Sequence, residues 1–136
     1  PPPEINLFNE KNNEETILKL IEIGYVKAAH DVSLGGIITS LAKMCIKGKK
    51  GVALKKTSHL IDQFEYFFGE DQGRYIIEIN KDNLKDIIAI LDKNSVHYDE
   101  LGIINENDLI FDEKTKVTID ELTTSNTSWL TNYMNK

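Results

Sequence analysis

The sequence predicts an α/β fold of the α+β type with a mixed sheet, and two patterns in its 136 residues support this. Segments with apolar residues at helical spacing alternate with short apolar runs bounded by turn residues. Near the end, two such runs flank a polar turn, which is typical of a β-hairpin. Helices alternating with strands and followed by a hairpin favour an α/β layer on a sheet with parallel and antiparallel pairs.

The first elements are a linker and a helix. Pro1–Pro3 favours an extended conformation, so residues 1–10 are predicted to be linker. A helix is expected to begin at Asn12 or Asn13, either of which can cap it, and to stop at Gly24. Its apolar residues are Ile17, Leu20 and Ile21, with Leu18 as a further candidate.

A strand, a turn and a second helix follow. Tyr25–Ala29 is short, apolar and bounded, which predicts a buried strand that ends at His30-Asp31. The residues Ser33–Gly36 are predicted to form a turn because two of them are consecutive glycines. Helical spacing defines the next helix through Ile37, Ile38, Leu41, Ala42 and Cys45.

The middle of the chain is predicted to hold a loop, a strand and a helix. The loop covers Lys47–Gly51, and the short strand covers Val52–Leu54. Spacings of three and four predict a helix over Thr57–Phe68, which Gly69 ends. Its apolar residues are Leu60, Ile61, Phe64, Phe67 and Phe68.

A strand over Arg74–Ile79 and a helix over Asn80–Asn94 come next. That helix has the clearest pattern of the chain, since its apolar residues recur at i, i+3, i+4 and i+7. They are Leu84, Ile87, Ile88 and Leu91. Val96–Ile104 is expected to be extended, with a bulge at Gly102.

The last elements are a hairpin and a helix. Asp108–Phe111 and Lys116–Ile119 are predicted to pair across a polar turn. A final helix is expected from Asp120 onward. Its apolar edge consists of Trp129, Leu130 and Tyr133.

Charge and composition exclude several functional classes. Sixteen Lys and Arg against 22 Asp and Glu give a net charge of −6, which argues against a general nucleic-acid binder. No apolar run approaches the roughly 18 residues of a membrane span. The single Cys45 excludes an internal disulfide and a multi-cysteine zinc site, and it favours a reducing, cytoplasmic compartment. No secretory signal is visible at the start. Because the chain begins with Pro1–Pro3 and without an initiator Met, we expect it to be a piece of a longer protein.

The first candidate site is the segment Ala29–Ile37. Asp31 ends a predicted strand, Ser33 follows two residues later, and Gly35-Gly36 precede a helix. The N–H groups of a helix start attract anions, and glycines let a phosphate approach the backbone. Asp31 can also ligate a hard cation such as Mg²⁺. A structural interpretation stays open, in which Ser33 caps the helix and the two glycines make the turn.

The second candidate site is Phe68–Tyr75, where several polar side chains lie just before a strand. Glu70, Asp71, Gln72 and Arg74 together can ligate Mg²⁺ or bind a polar ligand. The alternative is a solvated acidic turn in which Arg74 pairs locally for little energy.

Two single residues also carry alternatives. His30 can be a general base, a nucleotide contact or a structural hydrogen-bonding group. Cys45 lies on the apolar face of its predicted helix, which favours a buried structural thiol over a nucleophile.

Three stretches resemble the phosphoribosylformylglycinamidine synthase family. Ala29–Ile37, with Ser40–Met44 after it, resembles the family's A-H-D-[VI]-S-[DE]-G-G-L…L-A-E-M stretch. Phe68–Tyr75 resembles its F-G-E-x-Q-G-R-[YF] segment at about the expected distance downstream. The later Leu101-Gly102 matches its I-G-x-[VI] element. The resemblance covers nearly the whole chain, and the motifs occur in the family's order.

The resemblance implies a three-layer α/β/α fold with a mixed sheet, like the C-terminal domain of AIR synthase. Residues 11–136 would be the C-terminal domain of the second half of the synthetase. The family's enzyme is an ATP-dependent ligase of purine biosynthesis that uses Mg²⁺ and ammonia to convert formylglycinamide ribonucleotide to the formylglycinamidine. The implied partners are the N-terminal domains of the same synthetase, a glutaminase subunit and a small accessory subunit.

The resemblance also implies an auxiliary Mg-nucleotide pocket, and it places no catalytic residue in this chain. Asp31 is the implied Mg²⁺ ligand. The implied ATP or ADP contacts are Ser33, Gly35, Gly36, Glu70 and Gln72. Leu34 departs from the acidic residue usual in the family, which removes a carboxylate from the loop, and Asp71 replaces a commoner serine.

Two other functions compete with an inactive piece of this enzyme. One is a structural or interaction domain whose nucleotide pocket is vestigial. The other is the C-terminal domain of a different ATP-using enzyme of the AIR synthase superfamily. The domain is expected to expose an apolar strip where its partner domain docks.

Overall fold

A computed structural model describes residues 6–56, 62–71, 73–112 and 114–135, with the backbone alone at 129 and 130. The chain divides into two compact units. Among the described residues, unit 1 comprises 6–40 and 64–99, and unit 2 comprises 41–63 and 100–135.

The described elements alternate between helices and strands. The helices are α1 (Leu7–Ile23), α2 (Gly36–Gly48), α3 (Gln63–Phe68), α4 (Leu84–Lys93) and α5 (Ile119–Met134), and a 3₁₀ turn at Lys81–Asn83 precedes α4. The strands are β1 (Val26–Asp31), β2 (Gly51–Leu54), β3 (Tyr75–Ile79), β4 (Gly102–Asn105), β5 (Asp108–Ile110) and β6 (Lys116–Thr118).

Unit 1 is built on an antiparallel pair of strands, β1 and β3. Their register places His30 opposite Ile76 and Asp31 opposite Tyr75. Side chains of β1 alternate between half-buried and exposed, so the strand is not fully buried as predicted. One face of an antiparallel pair commonly stays wet, and this explains the alternation.

The core of unit 1 joins α1 and α4. Leu20, Ile87 and Leu91 form its buried cluster, in agreement with the periodicity of the two helices. Burying a side chain of this size contributes roughly 1.5–3 kcal/mol. The partly buried residues packed against the cluster are Tyr25, Val26, Ile77, Ile79, Ile90 and Val96.

Helix α1 begins earlier than the sequence predicted, and it takes in residues 7–10 of the expected linker. Its cap is Asn6, whose side chain accepts a hydrogen bond from the Asn9 N–H at 3.1 Å. The expected caps have other roles. Asn12 donates its side-chain N–H to the Asn94 carbonyl at 2.8 Å, and Asn13 donates to the Gly73 carbonyl at 3.1 Å. Tertiary contacts therefore displaced the predicted helix start.

Unit 2 contains a four-stranded sheet of order β4-β2-β5-β6. Strands β2 and β5 are parallel, and the other two pairs are antiparallel. The α/β class with a mixed sheet is thus confirmed. The predicted hairpin is also confirmed, with Leu109 opposite Val117. In its turn, Asp112 accepts hydrogen bonds at 2.7 Å from the N–H groups of Lys114 and Thr115.

The prediction of a bulge at Gly102 is wrong. The ladder between β2 and β4 is continuous, and Gly102 pairs with Leu54. A Cβ at Gly102 would lie 2.1 Å from the Ala53 carbonyl oxygen. Glycine is required here because two backbones approach closely. The predicted extended segment also shortens, since β4 begins only at Gly102.

Several other predictions have mixed outcomes. Helix α3 covers the end of the predicted helix over 57–68, whereas residues 57–61 lie outside the described chain. Helix α5 is confirmed, but Tyr133 on its predicted apolar edge is exposed. The side chains at 129 and 130 lie outside the description. In the part of the chain that is described, no helix combines the length and apolar character needed to cross a bilayer.

Candidate functional site

The turn between β1 and α2 requires its two glycines. Val32 continues the strand pairing by donating its N–H to the Arg74 carbonyl at 2.8 Å. Gly35 and Gly36 then adopt left-handed φ values of +84° and +70°. The Gly36 N–H donates to the Ser33 carbonyl at 3.0 Å and closes the turn. Residues other than glycine rarely adopt left-handed φ values at two consecutive positions.

The start of α2 packs directly on the end of α3. A Cβ at Gly36 would lie 2.7 Å from the Phe67 carbonyl oxygen and 2.8 Å from the Gly69 carbonyl oxygen. Phe67 itself is fully buried. The two motifs that stand far apart in the sequence therefore meet through backbone contact in unit 1.

A carboxylate joins the two motifs. The Gly35 N–H donates to Glu70 Oε1 at 2.8 Å, across 35 positions of sequence. Arg74 holds the backbone of this loop, because its guanidinium donates to the carbonyls of Gly69 and Asp71. Arg74 also lies 3.6 Å from the Asp71 carboxylate. Within the second motif, the segment around Gly69–Asp71 thus presents Glu70 to the first.

An open cavity of about 380 Å³ lies between these segments. It is lined by Glu10, Asp31, Val32, Ser33, Leu34, Glu70, Gly73, Arg74 and Tyr75. Three carboxylates face one guanidinium, so the cavity carries an excess of negative charge. The pKa of Tyr75 is raised by its burial and then by the carboxylates of Glu14, Glu10 and Asp31, which is consistent with this sign.

Asp31 has a hydrogen-bonded backbone and an exposed carboxylate. Its carbonyl oxygen accepts a hydrogen bond from the buried Ser40 hydroxyl at 3.2 Å. His30 Nδ1 lies 2.6 Å from the same oxygen, a contact that fits the structural role considered for this histidine. The Asp31 side chain is 71% exposed and lies 3.6 Å from His30 Nδ1. A carboxylate on such a rigid support is suited to hold a cation.

Asp31 offers a cation one carboxylate. Among residues 6–56, 62–71, 73–112 and 114–135, no three His, Cys, Asp or Glu side chains are arranged to hold a metal ion. Mg²⁺ at Asp31 would therefore complete its coordination with water and with ligand phosphates, which is its usual behaviour in nucleotide sites.

The structure brings most of the predicted site residues together. Asp31, Ser33 and Glu70 line the cavity. Gly35 bonds to Glu70, and Gly36 packs against the backbone at the end of α3. Gln72 lies outside the described residues. Leu34, which stands in place of an acidic residue, is 78% exposed at the cavity.

Sequence reasoning missed Glu10 as part of this cavity. Glu10 lies in the stretch expected to be linker, and the early start of α1 places it near Gly73. No local pattern marks this position, because Glu10 reaches the cavity through tertiary packing. Tyr75, by contrast, ends the second candidate segment and lines the cavity from the start of β3.

Cys45 is nearly fully buried, and burial raises the pKa of its thiol. A raised pKa keeps the thiol protonated and weakly nucleophilic. The interpretation as a structural thiol is supported.

The profile of the family described as "AIR synthase related protein, C-terminal domain" matches residues 2–112. The chain belongs to this family. It therefore carries an AIR-synthase-type C-terminal domain.

The relatives narrow this class. A phosphoribosylformylglycinamidine synthase subunit PurL from Pelagibacter ubique (strain HTCC1062) is 72% identical over 134 residues, which are 98% of this chain and 18% of that protein. A PurL from Bartonella quintana (strain Toulouse) is 37% identical over 135 residues, or 99% of this chain and 18% of that protein. The resemblance found in the motifs is confirmed. The chain spans about a fifth of the length of these curated relatives.

Solved structures share the fold. The structure of PurLQS from Thermotoga maritima matches with a TM-score of 0.77 and 21% identity, over 89% of this chain and 22% of that one. A PurL from T. maritima complexed with FGAR matches with a TM-score of 0.75 and 20% identity, over 88% and 21% of the two chains.

Proposed function

We propose that this chain serves as the C-terminal, AIR-synthase-type domain of a phosphoribosylformylglycinamidine synthase. The observation that carries the proposal is the 72% identity to the P. ubique PurL along 98% of the chain. The activity would be the ATP-dependent, ammonia-using conversion of formylglycinamide ribonucleotide to the formylglycinamidine in purine biosynthesis. Because the chain spans 18% of that relative, the activity belongs to the longer protein, and the chain alone has no turnover.

The activity is tested with a chimera. The segment of P. ubique PurL that aligns with this chain is replaced by this chain, and the chimera is introduced into a purine auxotroph that lacks the enzyme. Growth without purines is expected, together with ATP-dependent amidine formation by the purified protein. A chimera carrying Leu20→Asp, which places a charge in the core of unit 1, is the inactive control. A folded chimera without activity would contradict the proposal.

The cavity in unit 1 is proposed to be an auxiliary Mg-nucleotide site. Asp31 would hold Mg²⁺, and the turn with Ser33, Gly35 and Gly36 would receive the phosphates of ATP or ADP. Glu70 would face them from the other loop, and Gln72 is proposed as a further nucleotide contact. When bound, Mg²⁺ neutralises phosphate charge, and the excess of carboxylates at this cavity favours a metal-bound nucleotide over a free one. Solved PurL proteins from T. maritima are complexed with ATP and with ADP.

Thermal denaturation with and without Mg-ADP tests this site. Ligand at about 100 times its Kd stabilises the native state by about 2.7 kcal/mol, so the melting temperature should rise. Asp31→Ala is expected to abolish the rise. Asp92→Ala removes an exposed carboxylate from α4, which is not part of the cavity, and should leave the rise unchanged. Equal shifts in both variants would refute the role of Asp31.

An interaction role is also supported, by the exposed apolar residues of unit 1. Leu7, Leu18 and Ile21 lie on one side of α1 by their spacing, and Leu7 and Leu18 are 74% and 52% exposed. Phe64 and Phe68 form an exposed stacked pair with ring centroids 6.0 Å apart. Isolated apolar residues are common on surfaces, but grouped ones indicate an interface.

The proposed occupant of these two exposed apolar groups is the remainder of the synthetase, meaning its N-terminal domains. The argument is length, because the relatives contain about five times as many residues as this chain. A glutaminase subunit and a small accessory subunit would complete a cytoplasmic complex. The PurLQS assembly from T. maritima is one solved complex of a related protein. No nucleic-acid or membrane partner is proposed.

Docking is tested by supplying the rest of P. ubique PurL as a separate polypeptide and measuring its affinity for this chain. Leu18→Ser should raise the Kd by about tenfold or more, since a buried apolar contact is lost. Lys19→Ser alters the neighbouring exposed residue of α1 and should change the Kd little. Equal effects of the two substitutions would exclude this face as the docking surface.

A further inference from the structure

At the turn before α2, the backbone N–H of Gly35 is already bonded to a carboxylate of the protein. The Gly35 N–H donates to Glu70 Oε1 at 2.8 Å, and this N–H stands immediately before α2. Backbone N–H groups at such a position commonly donate hydrogen bonds to phosphate oxygens. A carboxylate of the protein therefore occupies a position where a phosphate oxygen would bind.

The hydrogen bond between the Gly35 N–H and Glu70 can compete with a bound phosphate, and it can also be broken without moving the backbone. A hydrogen bond from an N–H to a carboxylate is roughly twice as strong as a neutral one. The Glu70 side chain is exposed, whereas the backbone around it is held by bonds from Arg74 to Gly69 and Asp71. Releasing the carboxylate requires a change of side-chain rotamer and leaves the loop in place.

Charge decides which ligands can displace Glu70. A free phosphate entering the cavity meets the carboxylates of Glu10, Asp31 and Glu70. Like charges at this distance repel each other. A phosphate that arrives with a divalent cation brings the charge that offsets both the bound carboxylate and its neighbours.

We propose that Glu70 is a specificity-determining residue that competes with phosphate for the Gly35 N–H, so that the site admits metal-bound nucleotides and excludes free ones. The inference rests on the proposed nucleotide site and assigns Glu70 a role within it. Glu70 acts as a displaceable internal anion rather than as a direct ligand of the phosphate.

The test is calorimetric titration of the whole chain with ADP, once with Mg²⁺ and once with a chelator. Glu70→Gln keeps the shape of the side chain but removes its charge and weakens its hold on the Gly35 N–H. It should lower the Kd for metal-free ADP by about tenfold or more and lower the Kd for Mg-ADP less. The ratio of the Kd for metal-free ADP to the Kd for Mg-ADP should therefore decrease.

Glu10→Gln is the matched control, because it removes one carboxylate from the same cavity without touching Gly35. It should reproduce only a small part of the change. Equal effects of the two substitutions would mean that charge alone acts and would overturn the competition. Weaker binding of both forms of ADP to Glu70→Gln would make Glu70 a direct ligand and would also overturn it.

A second readout needs no nucleotide. The amide proton resonance of Gly35 should move upfield in Glu70→Gln and stay in place in Glu10→Gln, which also shows that both variants are folded. The proposed function fails separately, when the unaltered chain does not bind Mg-ADP or binds it independently of Asp31. In that case the role of Glu70 in nucleotide selection fails with it.

Discussion

Thr118 and Glu121 exchange hydrogen bonds at the start of α5. The Thr118 hydroxyl oxygen accepts the Glu121 N–H at 3.1 Å. Glu121 Oε2 in turn accepts the Thr118 N–H at 2.8 Å and the Thr118 hydroxyl at 3.0 Å. This capping box satisfies two N–H groups that the helix itself cannot pair. The same bonds lower the pKa of the Glu121 carboxyl.

Thr118→Ala should therefore destabilise the protein by about 1 kcal/mol at neutral pH, as measured by urea unfolding. Because the folded pKa of Glu121 is below its ordinary value of 4.5, its contribution is present above that pH. It is lost as pH falls through the folded pKa. The difference between Thr118→Ala and the unaltered chain should then shrink in acid. Thr124→Ala, inside the same helix, should cost nothing at any pH.

The core of unit 1 gives a second prediction. Leu20 is fully buried against Ile87 and Leu91, so Leu20→Ala should cost about 2–5 kcal/mol of unfolding free energy. Leu18 lies two residues earlier on the same helix and is half exposed. Leu18→Ala should change the free energy by less than about 0.5 kcal/mol. Similar losses for the two substitutions would contradict the assigned face of α1.

The contact between Gly36 and Phe67 gives a third prediction. Gly36→Ala would force a side chain into a left-handed conformation and against the Phe67 carbonyl. We expect a loss of roughly 2–4 kcal/mol in unfolding free energy, with distortion of the turn. Gly48→Ala, where a Cβ meets nothing within 4 Å, should be neutral or slightly stabilising. If Gly36→Ala unfolded at the same denaturant concentration as the unaltered chain, the close approach of α2 and α3 would be ruled out.

Cys45 gives a fourth prediction. Its thiol should react with a disulfide reagent at pH 8 roughly a hundredfold more slowly in the folded chain than in denaturant, because labelling requires local opening. Burial raises its folded pKa above the ordinary value of 9.0. The thiol therefore contributes stability below pH 9.0, and this is lost as pH rises toward the folded pKa. Cys45→Ala should lack both the labelling and this alkaline loss, and rapid labelling of the native chain would disprove the burial.

Much of the architecture follows from patterns along the chain. The periodicity that defined α4 identified Ile87 and Leu91 as buried, and the polar turn identified the β5–β6 hairpin. The predictions were wrong where a tertiary contact overrode the local sequence pattern. Asn12 has the composition of a helix cap, but its side chain bonds to Asn94 instead. The pattern predicts a bulge at Gly102, whereas the glycine instead lets the Ala53 carbonyl of the neighbouring strand approach closely.

The candidate site shows the same division. Asp31 and Gly35 were found because a carboxylate and a glycine turn between a strand and a helix are a recognisable local arrangement. Glu10 was missed because nothing near it in the sequence indicates that α1 passes the cavity. The three-layer arrangement implied by the resemblance stays a prediction.

The sequence by itself determined the class of this protein, its two motifs and the buried face of α4. These features depend on neighbours within about one or two helical turns, where periodicity and turn chemistry act. Only the tertiary structure decided that the carboxylate of Glu70 closes on the Gly35 N–H. That contact joins residues 35 positions apart, and no local preference encodes it, because it exists only once α3 has packed against the bare backbone of Gly36.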